Sequence, residues 1–148
     1  VNSARKRLVI DSNVLVSAAV YPDSPAALAY VTAALCCDLY ASQETLAEIE
    51  QVLLRPKFDR YFAAGGPTRE RFLSDYRALV NVAEVTEAVT DCPDPKDNRF
   101  LSLALSVGAE MIVSGDRRHL LPMHPYRGIA ILSCEAFLRT LTAAKAPQ

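Results

Sequence analysis

Short runs of β-branched and apolar residues alternate with helical segments along this chain, and that alternation leaves few folds open to it. Strands are expected at Arg7–Ile10, Asp38–Ala41, Val82–Val85, Glu110–Ser114 and Ile129–Leu132. Between them lie helices with recognisable ends. Ser24 caps one that continues from Pro25 to Leu35, and Ser42 caps another that must stop before Pro56. Thr68 caps a third, running to Leu79. Asp94-Pro95-Lys96-Asp97 opens one that Gly108 closes, and Ser133 caps the last, Cys134–Leu141. Shorter helical pieces are expected from Val14, over Lys57–Ala64 and after Asp116, with a break at Gly65-Gly66-Pro67. Strands and helices in this order give a three-layer α/β/α fold with a central parallel sheet of Rossmann-like topology.

A chain of 148 residues is one domain by length. The expected boundaries are a single unit over 1–142 and a frayed tail over 143–148. With 51% hydrophobic and 22% charged residues, the composition is globular rather than disordered. No apolar run reaches the roughly 18 residues of a membrane span, and the basic start Val1–Arg7 leads into a strand rather than a leader sequence. A cytoplasmic protein is the expectation. Cys36, Cys37, Cys92 and Cys134 form no CxxC pair and lack zinc spacing, which fits thiols in a reducing compartment. The net charge of −1 does not by itself advertise nucleic acid.

In an open parallel sheet, ligands bind beyond the carboxyl ends of the strands. Asp11 follows Leu8-Val9-Ile10, Asp116 follows Ile112-Val113-Ser114-Gly115, and Asp97 opens the helix after Val82–Val85. Each also suits a helix start as a cap or a partner for the macrodipole. Asp97, however, aligns with Phe100, Leu101, Ala104 and Leu105 on a helical wheel, so it points along a packed stripe. Glu48 borders the stripe Leu46, Ile49, Val52 and Leu53, and Glu50 borders its other flank. Periodicity does not choose between them.

Carboxylates that converge on one cleft repel by roughly 3–4 kcal/mol per pair at about 4–5 Å and an effective dielectric near 20. Raised pKa values or bound cations relieve this. Oxygen ligands without histidine or cysteine favour Mg²⁺ or Mn²⁺, and two such ions suit phosphodiester hydrolysis. Arg99, Arg117, Arg118 and His119 lie near the acids in sequence and are candidate contacts for the phosphates of such a substrate. With only His119 and His124 present, histidine-based general catalysis lacks support. Tyr21, Tyr61 and Tyr76 read as packing residues.

Four blocks of sequence, in order, resemble the PIN domain. They are Leu8-Val9-Ile10-Asp11-Ser12-Asn13-Val14-Leu15-Val16-Ser17-Ala18, then Ser42 to Glu48 with Val52-Leu53-Leu54-Arg55-Pro56-Lys57-Phe58. Asp94-Pro95-Lys96-Asp97-Asn98 with Phe100-Leu101, and Ile112-Val113-Ser114-Gly115-Asp116 with Leu120-Leu121, complete the set. The resemblance implies a Mg²⁺- or Mn²⁺-dependent ribonuclease whose acids are Asp11, Glu48, Asp97 and Asp116, and on this basis Glu48 is preferred to Glu50. Ser12, Asn13 and Ser114 match small polar positions beside the metals. Small members are similar to the toxins of bacterial and archaeal toxin–antitoxin pairs, which implies an antitoxin partner and a homodimer. A second acid often follows two residues after the position of Asp116, where this chain has Arg118.

Other readings fit less well. A haloacid-dehalogenase-like phosphatase needs an acid and a threonine where Asn13 and Leu15 stand. A receiver domain needs a late strand-end lysine, and none occurs between Lys96 and Lys145. An inactive PIN-like protein-binding module and a DNA-directed nuclease remain as alternatives.

Overall fold

A computed structural model describes residues 5–62 and 68–145. Five strands form one parallel sheet: β1 (Arg7–Ile10), β2 (Asp38–Ala41), β3 (Asn81–Val82), β4 (Met111–Val113) and β5 (Ala130–Leu132). Their order is β3-β2-β1-β4-β5. The chain winds outward from β1 in one direction, then crosses to the far side of β1 to place β4. The gap between the carboxyl ends of β1 and β4 is therefore the topological switch point, where open α/β sheets bind their ligands.

Alternate strand residues supply two separate cores. Leu8 and Ile10 of β1 and Met111 and Val113 of β4 face a layer built from α1 (Ser12–Val20), α2 (Pro25–Cys36), α3 (Gln43–Leu53), α4 (Arg69–Leu79) and α6 (Cys134–Lys145). Val9 and Ile112 point the other way, onto Phe100, Leu101, Leu103 and Ala104 of α5 (Asn98–Val107). The three-layer α/β/α arrangement follows from this period of two in the strands and the apolar faces of the helices.

The helix ends are where the sequence places them. Ser24, Ser42 and Thr68 each accept from the backbone N–H three residues on, and Thr45 returns its hydroxyl to the Ser42 N–H at 2.9 Å. Gly108 closes α5 at φ +66°, in the left-handed region. Three expectations change. The first helix begins at Ser12 rather than Val14, because Asp11 itself is the cap. The segment after Arg55 is a 3-10 helix over Pro56–Tyr61, and the break at Gly65-Gly66-Pro67 lies outside the described residues. After Asp116 the chain makes turns, and the one short 3-10 piece described there is Leu121–Met123.

The strand expected at Val82–Val85 is cut to Asn81–Val82 at the sheet edge. Beyond it the chain peels onto α5, where the Ser106 hydroxyl accepts from the N–H groups of Thr86 and Glu87, and the Ser102 hydroxyl from that of Val89. Those hydroxyls replace a β-ladder for an edge segment with half-exposed Val82 and Val85. The last helix passes its expected end at Leu141 and continues to Lys145, and 146–148 of the expected tail lie outside the described residues. Among the described residues no single helix is long and apolar enough to cross a membrane.

Nothing lies within 4 Å of a Cβ added at Gly108, so replacing it with alanine tests backbone conformation alone. Gly108→Ala is expected to cost about 1–2 kcal/mol in urea unfolding, and Gly108→Asn less.

Candidate active site

Asp11 ends β1, and its side chain is buried, with only 2% of the residue's surface exposed. Oδ1 caps α1 by accepting from the Val14 N–H at 3.0 Å, and Oδ2 accepts a short hydrogen bond from the Ser114 hydroxyl. Ser114 is itself fully buried at the end of β4, where its N–H donates to the Leu132 carbonyl of β5 at 2.9 Å. The Ser114 oxygen also accepts from the Asp116 N–H at 3.0 Å. One hydroxyl thus joins the carboxylate of β1 to the backbone that carries Asp116.

Asp116 is fixed from its own loop. Its Oδ1 accepts from the N–H groups of Arg118 and His119, both at 3.0 Å, while Oδ2 lies 3.4 Å from His119 Nδ1. Asp97 sits in the 3-10 turn Pro95–Asp97 that leads into α5, and its carboxyl is hydrogen-bonded to that of Asp116. Asp94 opens the same turn, and its Oδ2 is 4.0 Å from His119 Nδ1. Ligand atoms of Asp94, Asp97 and His119 all lie within 4.8 Å of one another.

The charges are held at an energetic cost. Burial pushes the Asp11 carboxyl up to about 6, against hydrogen bonds from Ser114, Val14 and Gly115 that favour its ionised form. Burial, the hydrogen bond to Asp116 and the negative charge of Asp116, Asp94 and Asp11 push Asp97 up to about 7. Burial also acts to raise Asp116, but the hydrogen bond from Asp97 and the N–H groups of His119 and Arg118 take it below the ordinary carboxylate value. The two carboxyls are therefore pushed in opposite directions, and Asp97 takes up a proton more readily than Asp116.

The structure gathers Asp11, Asp97 and Asp116, joined by hydrogen bonds and by Ser114, and places Glu48 differently. Glu48 lies on α3 with Oε1 3.0 Å from Nη1 of Arg99 in the first turn of α5. No N–H is aimed at that oxygen, so Oε1 is buried beside a cation yet makes no hydrogen bond. Among the described residues no hydrogen bond or ion pair links Glu48 to the three aspartates. Glu50, the other candidate on α3, pairs with Arg77 of α4 at 2.5 Å. Ser12 is buried in the first turn of α1, whereas Asn13 and Arg117 are exposed.

Sequence reasoning missed Asp94 and His119 as members of the cluster. It took the first as a cap and the second as a phosphate contact. Their spacing held a signal, because Asp94 and Asp97 stand three apart in one helical turn, as do Asp116 and His119. Arg99, also assigned to phosphate, is occupied by Glu48.

Acids gathered at the switch point of a parallel α/β sheet mark that gap as the candidate active site. A family model for the PIN domain matches residues 7–118, and the chain belongs to that family, whose members are generally nucleases. No curated protein matches the chain by sequence. Among solved structures it is similar to VapBC2 from Rickettsia felis, bound to a DNA fragment from their promoter. The TM-score is 0.57 and the identity 11%, over 86% of this chain and 98% of the other. At that identity the likeness concerns the fold.

Raised carboxyl pKa values mean that the folded protein binds protons more tightly than the unfolded chain. In metal-free buffer, the stabilising contribution is complete below about pH 4 and is lost as pH rises through about 6 for Asp11 and about 7 for Asp97. Asp11→Asn is expected to raise the metal-free melting temperature at pH 8 and to leave it nearly unchanged at pH 4. Ser114→Ala leaves a buried carboxylate without its donor, and a loss of about 2–3 kcal/mol is expected in denaturant unfolding at pH 8.

Proposed function

We propose that this chain is a divalent-metal-dependent endoribonuclease that hydrolyses RNA phosphodiester bonds. The observation that carries the reading is the junction of Asp11 with the Asp97–Asp116 pair through Ser114, at the carboxyl ends of β1 and β4. Structural carboxylates are ordinarily satisfied by cations or donors, whereas here burial and mutual repulsion oppose ionisation.

Mg²⁺ or Mn²⁺ fits the donor set. Asp11, Glu48, Asp97 and Asp116 offer carboxylate oxygens to a hard cation, and Glu48 Oε1 is a buried oxygen with no hydrogen-bond donor of its own. Such an ion supplies Lewis-acid polarisation of phosphate and a more acidic water. The protein's own part is orientation. Ser114 and the Val14 N–H fix the Asp11 carboxylate, and the loop N–H groups of Arg118 and His119 occupy Asp116 Oδ1, leaving Oδ2 toward Asp97 and His119. Ser12 and Asn13 stand beside Asp11 in the first turn of α1, and the exposed Arg117 follows Asp116, where it can meet a phosphate.

We assign the chain the toxin role of a type II toxin–antitoxin pair, acting in the cytoplasm as a homodimer and restrained by an antitoxin protein. Membership of the PIN family and the fold shared with a VapBC complex support that role.

The purified protein should cleave structured RNA with Mg²⁺ or Mn²⁺ and stop in EDTA. Asp11→Asn and Asp97→Asn should each lower the rate by at least about a hundredfold, as expected when a ligand to a catalytic cation is lost. Cleavage that persists in EDTA or in both variants overturns the reading. Cleavage of DNA with RNA untouched would move it to a DNA-directed nuclease. Absence of cleavage together with absence of Mn²⁺ binding in calorimetry would favour a protein-binding module.

A further inference from the structure

An imidazole stands among the carboxylates of the acid cluster. His119 Nδ1 lies 3.4 Å from Oδ2 of Asp116 and 4.0 Å from Oδ2 of Asp94. Ligand atoms of Asp94, Asp97 and His119 all fall within 4.8 Å of one another. Donors bound to one ion at about 2.0–2.2 Å stand up to about 4.3 Å apart, so this spacing is close to that of a shared cation.

The local backbone sorts the oxygens. The N–H groups of Arg118 and His119 take Asp116 Oδ1, and the Lys96 N–H takes Asp94 Oδ1. Each carboxylate thus spends one oxygen on its own turn, and Oδ2 is the atom nearer the imidazole. The His119 N–H that pins Asp116 also fixes the backbone of the histidine, so one turn places both donors. At 3.4 and 4.0 Å neither approach of Nδ1 is a hydrogen bond, and the ring stands beside the acids without donating to them. The chain has one other histidine, and its Nδ1 is already spent: His124 accepts there from the Ile131 N–H at 2.9 Å. Arg118, two residues after Asp116, cannot ligate a cation, whereas His119, one further on, can.

Two roles for this ring differ in sign. Protonated, it only balances the acids and competes with any cation for them. Neutral, it adds a nitrogen donor to a set of oxygens. We propose that His119 Nδ1 is a metal ligand beside Asp94, Asp97 and Asp116, and that this nitrogen makes the site select Mn²⁺ over Mg²⁺. Carboxylates alone serve both ions, but Mg²⁺ takes oxygen and dehydrates reluctantly, whereas imidazole suits first-row transition ions. The proposal rests on the nuclease reading and names the ion that its site selects.

The test follows Mn²⁺ binding directly, with no readout of cleavage. Free Mn²⁺ is counted from its EPR signal with Mg²⁺ titrated in as competitor, and bound Mn²⁺ is examined by electron spin echo for coupling to nitrogen. The wild type should show such a coupling, and it should change when histidine is isotopically labelled at nitrogen. His119→Ala should abolish the coupling and weaken Mn²⁺ binding by at least about tenfold, the least expected when even a supporting partner of a ligand is lost. Mg²⁺ binding should fall less, so that the ratio of the two affinities drops. His119→Asp, which supplies oxygen instead, should bind Mg²⁺ at least as well as the wild type and show no nitrogen coupling. His124→Asn keeps an acceptor for the Ile131 N–H and should retain both the coupling and the affinities. Thermal melting of each variant separates lost binding from lost folding. Bound Mn²⁺ without nitrogen coupling in the wild type overturns the proposal, as does Mn²⁺ binding in His119→Ala that is unchanged or tighter, the mark of a competing cation. In either case the nuclease reading stands. Absence of Mn²⁺ binding by the wild type overturns both. A nitrogen coupling from His119 in a protein that cleaves no RNA upholds the ligand and removes the nuclease reading alone.

Discussion

A carboxylate sealed under the carboxyl edge of the sheet is the constraint on which this structure turns. Asp11 is buried by the same packing that forms the core, so its charge must be answered within the protein. The answer is local and economical: the first turn of α1 supplies one N–H, and Ser114 of the neighbouring strand supplies a hydroxyl. Because that hydroxyl also accepts from the Asp116 N–H, the accommodation of one acid sets the position of the next. Asp97 is hydrogen-bonded in turn to Asp116, which ties the start of α5 to the same point. Helix start, strand end and loop become one unit.

The strand order makes this unit possible. With β1 at the centre and β4 beside it on the side away from β2, the loops after β1 and β4 leave in different directions and open a gap between them. The two acids of that gap are separated by more than a hundred residues in sequence, and the parallel pairing of Ile10 with Val113 is what brings them together. Net repulsion among them is tolerated because the two cores beneath are dense. Leu8, Leu101, Leu103 and Ile112 are all fully buried on either side of the sheet.

The chain carries a net charge of −1, and its cations are put to different uses. Half of its arginines pair with carboxylates among the described residues, and the exposed pairs are worth little to stability. Arg55, Lys57 and Arg117 line one cleft with Glu135 and make no ion pair among the described residues. Arg99 shows another use of the same residue type, since it forms an ion pair with Glu48, whose buried Oε1 makes no hydrogen bond.

Much of the fold was legible because it depends on local chemistry. Ser24, Ser42, Thr68 and Gly108 mark helix ends wherever the helices go, and the alternation in Leu8-Val9-Ile10 needs two covered faces whatever covers them. The family's four motifs likewise pointed to Asp11, Asp97 and Asp116. Distant contacts were not legible. Val82–Val85 has strand composition, but hydroxyls of Ser102 and Ser106 from α5 captured the chain after Val82. Tyr21 read as packing and stands half exposed, and the pairing of Glu48 with Arg99 of α5 left no mark in the sequence. The sequence by itself determined the elements, their ends and the acids available. Tertiary structure alone decided which acids are hydrogen-bonded to one another and that Asp94 and His119 join them, because side-chain distance and dielectric exist only once the chain is packed.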